Sequence, residues 1–84
     1  MKIRVKIPEE FVGNKDKVNT FVDDVLLWGL ETEMDIIFYN WYHPKDRTRN
    51  DKRLWAVFSV EADYSYMFSL KWGATLHKKQ QRDL

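Results

Sequence analysis

From Lys2 to Ile7 the chain alternates cation and apolar residue without a break: Lys2, Ile3, Arg4, Val5, Lys6, Ile7. Successive side chains of a strand point to opposite faces, so the pattern specifies a β-strand with Ile3, Val5 and Ile7 on one side and three cations on the other. Pro8 ends it, because proline brings no N–H to a ladder. The strand constrains more than itself. Its apolar side must be covered by a second layer while its cationic side stays wet, which calls for a sheet with one covered face and one open face.

The next segment supplies the cover. From Asn14, an N-cap residue after Gly13, the apolar positions Val18, Phe21, Val22, Val25 and Leu26 recur at helical spacing as far as Trp28 and Gly29. The glycine is expected to close the helix as a C-cap. Residues 35–42 (Asp-Ile-Ile-Phe-Tyr-Asn-Trp-Tyr) are aromatic and β-branched enough for a strand. A polar loop from His43 to Arg53 and a second apolar strand from Leu54 to Val60 follow.

The segment 64–72 has two templates. Tyr64, Tyr66, Phe68, Leu70 and Trp72 alternate with Ser65, Met67, Ser69 and Lys71, whereas a helix through 64, 67, 68, 71, 72 and 75 leaves Tyr66 and Leu70 on the wet side. Alternation favours a strand, joined to the previous one by a tight turn at Glu61-Ala62-Asp63. The residues from Ala74 to Leu84 read as a polar basic tail, either without order or a single helical turn. The expected fold is α+β in the order β-α-β-β-β: an antiparallel meander plus the N-terminal strand, making a four-stranded sheet with one helix on one face. All 84 residues belong to one domain.

There is no cysteine, so no disulfide, thiolate metal site or thiol nucleophile, and stability rests on apolar packing. No apolar run approaches the ~20 residues of a bilayer crossing. The alternating N-terminal segment is not the continuous apolar core of a signal peptide. Both point to a cytoplasmic protein without a membrane partner.

The net charge of +1 conceals a separation along the chain. Residues 1–8 carry three bases and no acid, residues 9–35 eight acids against Lys15 and Lys17, and residues 36–84 nine bases against five acids. One part of the molecule is acidic and the rest basic.

Function is sought on the open face. With Ile3, Val5, Ile7, Phe38, Phe58 and the alternating series from Tyr64 to Trp72 turned to the helix, alternation sends Lys2, Arg4, Lys6, Tyr39, Trp41, Trp55 and Lys71 to the other side. Cations among large rings suit RNA or single-stranded nucleic acid, whose bases stack on aromatic faces while the cations track phosphates. The other use of Trp41 and Trp55 is a cross-strand pair that completes the fold or buries a homodimer contact. The loop adds Lys45, Arg47, Arg49, Lys52 and Arg53, and the tail adds Lys78, Lys79 and Arg82. These can contact a phosphate backbone or simply solvate their segments.

No catalytic or cofactor motif is legible. His43 and His77 have no triad spacing around them, and Gly13, Gly29 and Gly73 are isolated. A metal-free ribonuclease built on His43, Arg47, Arg49 and a tyrosine is the remote enzymatic alternative. Glu31, Glu33 and Asp35 alternate as a divalent metal site would require, but suit a solvated approach to the strand better. The leading expectation is a non-enzymatic nucleic-acid binder without a cofactor. The alternative is a protein-binding inhibitor or antitoxin-like accessory module of phage or mobile-element type. It would dock on a partner protein through the aromatic face or through the acidic helix with Asp16, Asp23 and Asp24.

Overall fold

The computed structural model describes residues 1–46 and 48–77. The first strand, β1 (Lys2–Lys6), forms as its alternation dictates, with Ile3 and Val5 each 1% exposed. After a 3-10 turn at Glu9–Phe11, helix α1 (Lys15–Glu31) begins where Asn14 Oδ1 accepts the Lys17 N–H at 3.2 Å. Val18, Val22 and Val25 form its buried stripe.

The helix does not stop at Gly29. It runs to Glu31, and the left-handed position after its end is taken by Glu33 (φ 60°). Gly29 answers a packing requirement instead: a Cβ there would stand 2.7 Å from Ile36 Cδ1. The chain turns at residues 32–36 and needs that close approach to bring Ile36 against the helix.

Strands β2 (Ile37–Tyr42) and β3 (Trp55–Ser59) form the expected hairpin, and the first strand pairs antiparallel with β3. In register, Ile3 stands opposite Phe58, Val5 opposite Ala56 and Lys6 opposite Trp55. Ile7 extends the ladder by donating its N–H to the Leu54 carbonyl at 2.8 Å.

The segment read as a final long strand is a helix. Ala62–Tyr64 makes a 3-10 turn that leads into α2 (Ser65–Trp72), and Gly73 closes it in the left-handed conformation (φ 60°). Its inward positions are Ser65, Phe68, Ser69 and Trp72, the i, i+3, i+4, i+7 set of one helical face, while Tyr66, Met67 and Leu70 are exposed. This is a different helical face from the one through 64, 67, 68, 71, 72 and 75, and it is hidden in the sequence because two of its four positions are serines. Here Ser65 and Ser69 are small residues that let the helix lie close to its neighbours. Strand β4 (Thr75–Leu76) then pairs with β1 on the side away from β3, in a segment read as tail.

The sheet order is therefore β2-β3-β1-β4, antiparallel throughout, with β1 in the interior and β2 at an edge. The α+β class and the four-stranded antiparallel sheet stand. Two helices rather than one cover the sheet, and the element order becomes β-α-β-β-α-β, the split-βαβ arrangement. Ile3, Val5, Ile7, Ala56, Phe58 and Val60 from the sheet meet Val18, Val22, Val25 and Phe68 from the helices in one core. Each large side chain buried there contributes roughly 1.5–3 kcal/mol. A run of ring contacts from 4.9 to 6.4 Å between centroids joins Phe11, Phe21, Trp72, Trp28, Phe68, Phe58, Phe38 and Trp41 across the covered side. Among the described residues no helix is long and apolar enough to cross a membrane.

Candidate functional site

The open face is built by the residues that alternate with the core. Lys2, Arg4 and Lys6 of β1 stand in register with Ser59, Val57 and Trp55 of β3, and these with Ile37, Asn40 and Tyr42 of β2. None of the four strands contains an aspartate or glutamate.

A bulge decides which rings share this face. The β2–β3 register shifts between Phe38 and Asn40, so alternation restarts after Tyr39. Phe38 opposes Phe58, and after the bulge Trp41 opposes Ala56, so both belong to the covered side. Trp41 packs on Phe38 at 4.9 Å and lines a recess of about 380 Å³ with Gly13, Lys15, Val18 and Asn19. The expectation that Trp41 lies on the open face is thus corrected. Its place is taken by Tyr42, opposite Trp55. The signal was present in the sequence. Unbroken alternation would drive Asn40 into the core between Phe38 and Tyr42, where its amide would lack partners, and a bulge removes that conflict.

Lys71 is likewise displaced. It belongs to α2 rather than to a strand, and lies 5.5 Å from the Trp72 ring on the helical side.

On the open face each described cation lies against a ring. Lys2 Nζ is 4.4 Å from the Tyr39 ring centre. The Arg4 guanidinium is 4.5 Å from Tyr42 and 5.5 Å from Trp55, and Lys6 Nζ is 5.9 Å from Trp55. Tyr42 also meets Trp55 edge-on at 5.6 Å and His77 at 5.3 Å. His77 donates its N–H to the Lys2 carbonyl, an extension of β4 that no sequence signal announced. Contacts of this type contribute roughly 0.5–1 kcal/mol at exposed positions, more once desolvated. Val57, beneath Arg4 in register, is 1% exposed although it lies on this side, so the overlying side chains exclude water from it. Tyr39, 45% exposed, is the most accessible of the rings. Lys6 is additionally held by Glu9 at 3.3 Å.

The loop cations divide. Arg53 is turned inward on its own loop: its Nε donates to both Asp51 carboxylate oxygens at 3.0 and 2.9 Å, its Nη2 donates to Asp51 Oδ2, and Asp46 lies 3.4 Å away. The Asp51 hydrogen bonds, followed by the charges of Asp51 and Asp46, raise its pKa above the usual guanidinium value. Asp51 Oδ1 also accepts the Arg53 backbone N–H at 2.8 Å, so the pair shapes the turn. Lys45, Arg49 and Lys52 are exposed and have no ion pair among the described residues. Arg47, Lys78, Lys79 and Arg82 lie outside the described residues.

The acids lie elsewhere. Asp16, Asp23, Asp24 and Glu31 belong to α1, on the covered side of the sheet. Glu31, Glu33 and Asp35 do not gather as a ligand set, and the described residues contain no cluster of histidine and carboxylate groups fit for a metal. Compared with protein-family models, curated proteins and solved structures, the chain finds no match.

Proposed function

We propose that the chain is a non-enzymatic binder of RNA or single-stranded nucleic acid, and that the ligand lies across the open face over Lys2, Arg4, Lys6, Tyr39, Tyr42 and Trp55. The observation that carries the reading is the pairing of cation with ring on a surface whose strands hold no acid. A single strand offers phosphates and unstacked bases at alternating positions, and this face offers their complements at strand spacing. Arg4 presents a planar guanidinium among rings, on which a base can stack as on an aromatic side chain. The acidic helix layer, on the opposite side, repels phosphate and orients the approach. Four-stranded sheets with helices behind them serve RNA recognition in the same manner, a parallel at the level of fold alone.

The test is fluorescence anisotropy of a labelled single-stranded RNA oligonucleotide titrated with the protein over a series of salt concentrations. Single strands give a slope of about −0.7 in log K against log salt per phosphate neutralised, so Lys2, Arg4 and Lys6 together give about −2. Arg4→Ala and Lys6→Ala each flatten the slope by about 0.7. A Tyr39→Ala, Trp55→Ala double change weakens binding at every salt concentration by roughly 1–3 kcal/mol per base lost from a ring. Affinity indifferent to salt, or unchanged in the double variant, removes the proposal.

A further inference from the structure

The outer edge of the sheet has a chemistry distinct from both faces. Strand β2 pairs with β3 on one side only. Because Ile7 bonds Leu54 and Val60 bonds Met1, the strand β3 turns the main-chain groups of Trp55, Val57 and Ser59 toward β2, where Tyr42, Asn40 and Ile37 receive them. The groups of Phe38 and Trp41 therefore face outward, and the Trp41 N–H donates to the side chain of its own neighbour, Asn40 Oδ1, at 2.8 Å.

Natural edge strands are guarded by charge, proline or a bulge, since an unpaired row of N–H and C=O groups is a template for another strand. β2 holds no charged residue and no proline and keeps only the bulge. Its apolar side chains are open, with Ile37 59% and Trp41 37% exposed, and Leu30, next to the Gly29 that abuts Ile36, is 75% exposed.

Charge specifies what the edge fits. Glu33 and Asp35 lead into β2, and Lys45, Arg49 and Lys52 follow it. All are exposed, and none is in an ion pair among the described residues. A strand that is acidic before, neutral along and basic after its length is complementary to itself when reversed.

We infer that a second copy of the chain pairs antiparallel with the first along β2, about a twofold axis normal to the sheet. The acidic approach of each protomer then meets the basic loop of the other, once at each end. A parallel arrangement would instead oppose acid to acid and base to base. The interface is closed, because a twofold axis uses the same edge of both copies, and the sheet's other edge, the two-residue strand β4, offers little to extend. A twofold axis in this direction keeps both open faces on the same side, so the dimer presents one cationic, ring-bearing surface of double width. The inference does not depend on what that surface binds.

Two block variants test it, with fold checked by circular dichroism and mass by light scattering across a roughly hundredfold range of protein concentration. The variant Glu33→Lys, Asp35→Lys makes both flanks basic, and Lys45→Glu, Lys52→Glu makes the following flank acidic. Wild type is expected to dimerise and each block variant alone to lose at least tenfold in self-affinity. The two mixed in equal amounts should recover a heterodimer. Trp41→Lys, which puts a charge on the edge itself, weakens wild-type association by a similar factor. A wild type that is monomeric throughout overturns the inference. So does a dimer that neither block variant weakens, or a mixture that fails to associate.

Discussion

The two faces of the sheet use aromatic rings in opposite ways. In the core on the covered side ring packs on ring: Phe38 and Phe58 touch at 5.9 Å, Phe58 and Phe68 at 5.8 Å, and Phe58 and Phe68 are fully buried. On the open side each of the rings Tyr39, Tyr42 and Trp55 lies against a cation, Lys2, Arg4 or Lys6, and Tyr42 also meets Trp55 and His77. Phenylalanine has no polar edge and gains only from exclusion of water, whereas tyrosine and tryptophan present one end to water and a π-face to a cation. A ring packed by rings cannot leave without a cavity. A ring packed by a lysine or arginine can exchange that cation's company for a ligand's, at the cost of one exposed contact.

This contrast is broken or sharpened by substitution. The largest effect is expected for Phe58→Ala, which removes the ring at the centre of the core and lowers unfolding free energy by roughly 3–5 kcal/mol. Trp55, three residues earlier in the same strand, lies on the opposite face of the sheet. Trp55→Ala is expected to lower stability by only about 1 kcal/mol, the worth of its exposed ring contacts. Chemical denaturation of both variants makes the comparison, and equal losses would mean that the open face is a second core.

A middle case is Trp41→Ala. Because the bulge sends Trp41 to the helix side, where it is 37% exposed, the change should lower stability by about 2 kcal/mol. It should leave oligonucleotide anisotropy titrations of the folded protein unaltered. Loss of binding there, beyond what unfolding explains, would return Trp41 to the ligand surface.

The smallest effect concerns the loop. Asp51→Ala releases the Arg53 guanidinium that Asp51 now holds. The freed cation should steepen the salt slope of RNA binding by about 0.7 if the loop reaches the phosphates. An unaltered slope restricts the electrostatic contact to the sheet face itself.

How far the sequence reveals this arrangement depends on whether each strand keeps its period. β1 is regular, so Ile3, Val5, Lys2, Arg4 and Lys6 fall on the faces that alternation assigns. β2 is not, and one extra residue at Tyr39 exchanges the positions of Trp41 and Tyr42 while leaving the element itself recognisable. Residues 64–72 mislead for a different reason. Their rings occur at alternate positions, but two of the four, Tyr64 and Tyr66, are exposed, Tyr66 at 76%. The core contacts are Phe68 and Trp72, four apart, with serines completing the helical face. Composition-based reading gives a large exposed ring more weight than a small residue at a packing surface, and the geometry reverses that weighting. The ion pair that occupies Arg53 joins residues two apart and was beyond pattern reading, since a basic loop looks alike whether its arginines face a ligand or a neighbour.

The bulge at Tyr39 also sorts the four indoles into optical classes. Trp28 and Trp72 sit edge to face at 6.1 Å between the helices, and Trp41 lies beside α1. Trp55 alone among them looks out from the uncovered side of the sheet. Emission from this chain therefore carries two separable reports: quenching of a single indole follows occupancy of that side, and the remainder follows the integrity of the fold.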